Sequence, residues 1–187
     1  MGTVENPPVR LVDGVRLDIY NGAQFEPVGF GTEIFIPANM FLTHTGSGAL
    51  TGTAAGSNGY PGWALDTTSD ETLSTVLMLP DGWKAFKCDI IWSNASTGAG
   101  GVRWDVNFEN PAMGSAASTG TTASVTATAS TTQWALTQTE VIASSAAAGL
   151  TADRILRIRV NRDADHAGDT VANDASFNGI LLTRVLA

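Results

Sequence analysis

Charged side chains are scarce in this 187-residue sequence, since Asp, Glu, Lys and Arg make up 15% of it, against roughly 25% in a typical soluble domain. Ala, Gly, Ser and Thr take their places, so much of the surface must carry small neutral side chains. Such a surface is better suited to packing against neighbouring subunits than to a solitary enzyme. The ten basic residues and the formal net charge of −8 leave too little positive charge to follow a phosphate backbone, so we expect no nucleic-acid partner.

Cysteine and long apolar runs are also nearly absent. Cys88 is the single cysteine, which excludes an intrachain disulfide and a thiolate metal cluster built within one chain. No apolar run approaches the roughly 18 residues that span a bilayer, and no charged segment followed by an apolar stretch opens the sequence. We therefore expect a soluble chain with no export signal and no membrane insertion, whose fold depends on packing.

Residues suited to catalysis are few. His44 and His166 are the two histidines, and both the GxSxG nucleophile elbow and the HExxH zinc motif are missing. Asp105 and Glu109 are the one carboxylate pair on a common strand phase that a glycosidase could use, and ordinary surface alternation explains them equally well. The sequence thus predicts a protein that is not an enzyme, with no catalytic residue and no cofactor.

The acidic loop Asp163–Asp169 leaves two interpretations open. Carboxylates gathered around a glycine are the kind of ligand that Ca²⁺ prefers, but the loop lacks the twelve-residue pattern that ends in a bidentate glutamate. A solvated turn between strands is the favoured interpretation. No metal site is predicted.

Five tryptophans offer flat aromatic faces that could stack against the sugar rings of a host surface glycan. Trp92 and Trp104 lie on the apolar phase of their strands, so we expect them in the core. Trp63 and Trp83 stand in turn contexts, where either role is open.

Alternation of apolar and polar residues predicts strands rather than helices. The pattern is unbroken over Val102–Phe108 and recurs in Phe86–Trp92 and Leu156–Val160. We expect the turn cluster Asn94–Gly101 to join the first two of these strands as a hairpin with a long loop. The wet face of the third strand is predicted to carry Arg154, Arg157, Arg159 and Arg162.

The fold class that follows is all-β, an antiparallel β-sandwich of jelly-roll type. The Ala-rich stretches near residues 115–130 and 143–149 are interrupted by Ser, Thr and Gly, which weaken helices. No internal repeat at a fixed period supports a propeller. The low-complexity segment Met113–Thr132 is either a long flexible loop or an edge strand that lies against another subunit.

Residues 1–32 are predicted to form an extended N-terminal arm of hairpins, separate from a β-sandwich domain at 33–187. Asp13-Gly14 and Asn21-Gly22 are dipeptides that favour type I′ hairpin turns, and Pro7, Pro8 and Pro27 argue against a helix. We expect the arm to serve attachment or assembly through Leu17, Ile19, Tyr20, Phe25 and Val28.

Eight dispersed segments between residues 33 and 187 form a recognisable series. They are Ile34–Met40, Trp63–Asp66, Glu71–Leu73, Leu79–Trp83, Ile91–Ser93, Gly101–Trp104, Ile158–Asp163 and Asp174–Leu182. Together they resemble a small domain family that is common in virion proteins of tailed bacteriophages. Leu17–Val28 is similar to short hairpins, with an aromatic residue on either side of Asn-Gly, that recur in phage appendage proteins. The resemblance implies a jelly-roll-like, usually trimeric module on the virion surface, and it transfers no functional residue.

From this resemblance we expect a homotrimeric capsid decoration protein, of the cement or head-fibre type, that stabilises or decorates the particle surface. It would be made in the host cytoplasm, and its arm would hold the major capsid protein or another virion protein. The alternative is a short tail-fibre or tail-tip protein that binds a receptor such as a host surface glycan. The lack of a heptad or collagen-like repeat, which a long shaft needs, favours decoration.

Overall fold

The computed structural model describes residues 9–12, 16–20, 25–27, 33–44, 62–80, 83, 85–110, 120–145 and 155–185. The chain divides into two compact units, residues 1–32 and 33–187. No helix in the described ranges is long and apolar enough to cross a membrane.

The first unit is a three-stranded antiparallel sheet in the order β1-β2-β3. Its strands are β1 (Val9–Val12), β2 (Arg16–Tyr20) and β3 (Phe25–Pro27). Leu11 pairs with Leu17, and Tyr20 pairs with Phe25. The three strands pair antiparallel in chain order, while the two predicted turn dipeptides lie outside the described residues, and a separate attachment arm stays a prediction.

The second unit is an antiparallel β-sandwich, as predicted. Its front sheet has the strand order β10-β9-β12-β7-β5, and its back sheet has the order β11-β8-β13-β4, with β6 beside β13. The short 3-10 turn Ala38–Met40 joins two of the strands. The strands are β4 (Glu33–Pro37), β5 (Leu42–Thr43), β6 (Trp63–Leu65), β7 (Glu71–Met78), β8 (Phe86–Asn94), β9 (Gly101–Glu109), β10 (Thr121–Thr128), β11 (Thr137–Ile142), β12 (Ile155–Arg162) and β13 (Ala175–Arg184).

The core lies between the two sheets and is built from the alternating apolar residues that the sequence showed. Trp92 on β8 faces Trp104 on β9 with ring centroids 5.8 Å apart, and Phe86 faces Phe108 at 5.7 Å. All four side chains are essentially inaccessible to solvent. Truncating one such buried aromatic residue to alanine costs about 3–5 kcal/mol, so these pairs hold the sheets together.

The hairpin predicted at Asn94–Gly101 is wrong. β8 pairs with β11 and β13 in the back sheet, whereas β9 pairs with β10 and β12 in the front sheet. The connecting loop therefore crosses from one sheet to the other. Both strands have one apolar face, and a sandwich lets these faces meet across the core, where a hairpin would lay them side by side.

Thr121–Thr128 in the low-complexity segment is an edge strand, β10, at one side of the front sheet, and its contact with another subunit stays a prediction. Its polar residues Thr122, Ser124, Thr126 and Thr128 are exposed, and Val125 points towards the core. This strand carries no charged residue.

β13 is the central strand of the back sheet. It pairs with β8 along one side and with β4 and β6 along the other. Gly179 has a φ of 153°, and a Cβ atom there would lie 2.6 Å from the carbonyl oxygen of Ile36. Only glycine fits this close approach of β4, which follows a bulge between Phe177 and Gly179.

Candidate functional site

The carboxylate pair Asp105 and Glu109 lies on the outer face of β9, as predicted. Their Cα atoms are four residues apart in an extended strand, or about 13 Å along β9. Glycoside hydrolysis uses two carboxyl groups roughly 5–10 Å apart that face one substrate, whereas each carboxylate here is turned to an arginine. The geometry does not bring them together as an acid and a base.

Both carboxylates are paired with arginines. Arg157 Nη2 and Arg159 Nη2, on the neighbouring strand β12, donate to the two oxygens of Glu109, and the second of these distances is 2.7 Å. The Glu109 side chain is 1% exposed although it lies on an outer face. Arg103 Nε lies 3.4 Å from Asp105 Oδ1. Both carboxylate oxygens of Glu109 thus have a guanidinium partner.

The prediction that the arginines of β12 share a wet face is correct for Arg157 and Arg159 and wrong for Arg162, whose side chain is completely buried. Nε and Nη2 of Arg162 donate to the two oxygens of Asp169 at 2.9 and 2.7 Å. The remaining donors reach the carbonyl oxygens of Leu65, Asn173 and Val171 at 2.9 to 3.1 Å. All five N–H groups are satisfied, which is what burial of a guanidinium requires. Arg154 lies outside the described residues.

The Asp163–Asp169 loop is solvated at its start and buried at its end. Asp163, Asp165 and Asp70 have carboxylate oxygens within 4.8 Å of one another, and Asp70 accepts the backbone N–H of Ala164 at 2.9 Å. Burial, together with a hydrogen bond involving Asp165, raises the pKa of Asp163. Asp169 is turned inward to Arg162, so it is no part of this acidic group.

Residues that could act as nucleophiles or bases are engaged in the fold. Burial raises the pKa of the Cys88 thiol far above its ordinary value, so it is not a thiolate nucleophile. His44 is half-buried beside β7, where its backbone N–H donates to the carbonyl oxygen of Thr72 at 2.9 Å. His166 is exposed, and its Nδ1 accepts the N–H of Gly168 at 2.9 Å.

The tryptophans divide into core and surface residues. Trp83, Trp92 and Trp104 are buried, which confirms the core position predicted for the last two. Trp63 is half-buried, packs against the core and donates from Nε1 to the carbonyl oxygen of Ala38 at 2.8 Å. Trp134, in the connection between β10 and β11, is partly exposed and has a φ of 64°.

A group of exposed apolar side chains, not identified from the sequence, lies at the β5 edge of the front sheet. Leu42 is 71% exposed, Val76 is 56% exposed and Met78 is 75% exposed. Leu42 pairs with Ser74, so all three side chains project from the outer face of the sheet, with Val76 diagonal to Leu42 and Met78 two residues further along β7. We call them the β5 edge patch. The sequence did contain a signal for this patch. In the run Val76-Leu77-Met78 both phases of the strand are apolar, so at least one apolar side chain must lie on the outer face.

The residues predicted to serve assembly lie in the first unit. Leu17, Ile19 and Tyr20 are in β2, and Phe25 is in β3. Ile19 pairs with Val9 on one side of β2 and with Glu26 on the other. Val28 lies outside the described residues.

Comparison with known proteins gives neither a matching family model nor a matching curated protein. Solved structures do match. The CBM36-1 domain of a multidomain xylanase from the hindgut metagenome of Trinervitermes trinervoides is 9% identical with a TM-score of 0.47, over 83% of this chain and 99% of that domain. A family 35 carbohydrate binding module from Clostridium thermocellum is 12% identical with a TM-score of 0.39, over 81% and 98% of the two chains.

A third match is the GH26-CBM35 β-(1,4)-mannanase of Podospora anserina, 14% identical with a TM-score of 0.45 over 83% of this chain. The match covers 28% of the mannanase. TM-scores below 0.5 at these identities carry no argument about what the present chain binds or does.

Proposed function

We propose that this chain is a non-enzymatic virion structural protein of a tailed bacteriophage, displayed on the particle surface as a homotrimeric capsid decoration protein. The sandwich would be the displayed part. The N-terminal unit would attach it to the major capsid protein or to another virion protein.

The observation that carries this proposal is the β5 edge patch. Leu42, Val76 and Met78 lie together on an outer sheet face and are each more than half exposed. The neighbouring strand β12 lines one side of this patch with Arg157, the cross-strand partner of Val76, and an exposed apolar patch rimmed by polar side chains is typical of a protein interaction site. Cover by neighbouring subunits would remove this surface from water, which stabilises by roughly 25 cal/mol for each Å² buried.

The N-terminal unit supports the proposal by its form. Three short strands paired through their backbones leave β1 and β3 at the edges of the described sheet. An edge strand can add to a strand of another protein through main-chain hydrogen bonds. Attachment of this kind would increase the buried area between the decoration protein and the capsid, and so the work needed to separate capsomers.

The geometry of the described titratable groups supports the absence of enzymatic activity in the proposal. Glu109 is engaged by two arginines, Asp169 by a third, and Cys88 is fully buried. A general acid or base must come within hydrogen-bond reach of the proton that it transfers. Side chains that are already bound to arginines or enclosed in the core are not presented to a substrate.

The trimer is tested by light scattering coupled to gel filtration. Charging the β5 edge patch with Val76→Asp and Met78→Asp together should yield a folded monomer, because buried like charges oppose association. The matched control is Thr128→Asp, which adds a charge to the opposite edge of the same sheet and should leave a trimer. A wild-type monomer, or a trimer that survives the double substitution, contradicts the proposal.

The location is tested by immunogold electron microscopy of purified virions with antibody against the recombinant protein. Label over the head is the expected result. Label at the tail end would contradict decoration and support the alternative, a short tail-fibre or tail-tip receptor-binding protein. Deleting residues 1–30 should abolish attachment and leave a folded sandwich, whereas attachment by the truncated protein would contradict the role of the arm.

A further inference from the structure

Trp134 occupies a backbone conformation that suits glycine. Its φ of 64° is the one positive φ among non-glycine residues in the described part of the chain. In this left-handed region the Cβ atom of a bulky residue crowds the following carbonyl group, and glycine or asparagine is the usual occupant.

The surrounding backbone imposes this conformation. The N–H of Trp134 donates to the carbonyl oxygen of Asn94 at 2.9 Å, and that of Ala135 donates to Thr132 at 3.2 Å. The side-chain amide of Gln133 donates to the carbonyl oxygen of Ala95 at 2.8 Å. The β10–β11 connection is therefore fixed against the end of β8 and the loop that follows it.

Packing into the core does not account for a tryptophan at this position. Trp63, Leu77, Val125 and other half-buried apolar residues pack against the core, but Trp134 does not belong to that group. Its side chain is partly exposed, and Leu136, two residues on, is 46% exposed. Strained residues that gain no core packing are typical of ligand sites, where the strain holds a side chain in place.

The two segments that meet at Trp134 are polar and carry no charged residue. Residues 94–101 and 129–139 contain no Asp, Glu, Lys, Arg or His. Thr131, Thr132 and Gln133 directly precede Trp134 in the chain, are exposed and offer hydroxyl and amide groups. A flat apolar surface with a neutral hydrogen-bonding rim matches a sugar ring, which has an apolar C–H face and hydroxyl groups at its edge.

We propose that Trp134 is the stacking platform of a binding site for a neutral glycan, formed by the 94–101 and 129–136 loops at one end of the sandwich. Leu136 extends the apolar surface, and Gln133 and Thr132 supply hydrogen bonds to sugar hydroxyls. The absence of basic residues in the two loops disfavours uronic or sialic acids. This site does not depend on the decoration role, because it would bind glycan wherever on a virion the protein lies.

The test is affinity gel electrophoresis of the full chain in gels that contain a neutral polysaccharide, namely dextran, soluble starch, galactomannan, mixed-linkage β-glucan or a neutral O-antigen polysaccharide. At least one of them should retard the wild-type protein. Trp134→Gly should weaken binding by roughly tenfold or more through loss of stacking. Its Tm should equal or exceed that of the wild type, since glycine adopts a positive φ without crowding.

Three further variants make the test decisive. Trp134→Phe keeps an aromatic face and should retain most of the binding. Trp134→Asn, which also tolerates a positive φ, replaces the glycine variant if the latter does not fold, and it should bind weakly. Trp63→Phe is the control for a half-buried indole elsewhere and should bind normally. Wild-type protein that none of the five polysaccharides retards, or unchanged binding by the glycine or asparagine variant, would overturn the proposal.

Discussion

Arg159 and Arg162 lie three residues apart on β12 but in two different environments. Arg159 is on the outer face of the front sheet, 29% exposed, and shares Glu109 with Arg157. Arg162 is fully buried and bonds one carboxylate and three carbonyl groups with all of its donors. The outer arginines, Arg157 and Arg159, could exchange their partner for water, whereas the buried Arg162 could not.

The side of the strand on which an arginine lies therefore decides the free-energy cost of its charge. Water competes for the outer arginines, which are 26% and 29% exposed, so each single guanidinium there contributes little, although the Glu109 carboxylate that they share is buried. Inside the sandwich the same guanidinium is stable only with a complete set of acceptors, and removing one partner leaves an uncompensated charge. Arg162 thereby fixes the positions of β6 and of the 163–173 loop, which supply those acceptors.

The largest expected effect comes from Arg162→Met. We expect the free energy of unfolding to fall by about 3–5 kcal/mol, because Asp169 is left buried without its partner. Urea unfolding followed by tryptophan fluorescence measures this, with Arg159→Met as the matched outer control, which should lose about 1 kcal/mol or less. Equal losses in the two variants would erase the distinction between the inner and outer arginines.

Glu109→Gln should have the next largest effect, a loss of about 1–3 kcal/mol. The side chain is 1% exposed and accepts from both outer arginines, so the amide leaves two guanidinium groups close together without a negative charge between them. Thermal unfolding checks this, with Asp105→Gln as the control on the same face. A neutral result would show that solvent screens this buried carboxylate as it does a surface one.

Asp163→Asn should stabilise the protein slightly at pH 7, with a rise in Tm of about 1–2 °C. Burial and the neighbouring acids raise the pKa of Asp163 above its ordinary value of 3.8. The folded state therefore binds the proton more tightly than the unfolded state, and this group's contribution to stability falls as pH rises through the interval between the two pKa values. The gain should vanish at about pH 3, where both states are protonated, and a gain that persists there would have another origin.

Arg103→Ala should have the smallest effect, within about 0.5 kcal/mol. Its ion pair with Asp105 is 3.4 Å long, and both side chains are about one-quarter exposed. Chemical denaturation at low and high salt should give the same difference from wild type. A loss comparable to that of Arg162→Met would contradict the conclusion that the outer arginines contribute little to stability.

Much of the sandwich is readable from the sequence because period-2 alternation directly reports which residues face a core. That rule predicted the inward positions of Trp92, Trp104 and Val106. The same rule predicts that Arg162 faces the core, because it follows Leu156, Ile158 and Val160 on the same phase of the strand. The prediction that Arg162 is solvent-exposed was wrong because it relied on residue type instead of strand phase.

Other features depend on information that a local pattern does not carry. Whether β8 and β9 pair or face each other across the core is decided by the other strands, since the apolar phases are the same in both arrangements. The positive φ of Trp134 results from hydrogen bonds to Asn94 and Ala95, some 40 residues earlier in the sequence. The glycan site could be located only after those loops had been placed together.

The central place of β13 in the back sheet has a consequence for biosynthesis. The strands β1 to β3 are joined by short connections, so their hairpins can form soon after residue 27 has left the ribosome. The back sheet needs residues up to Arg184 before β4 and β8 acquire their common partner. At roughly 5–20 residues per second, β4 would wait about 7–30 s for the strand that it pairs with, and its unpaired edge would be open to other chains during that time.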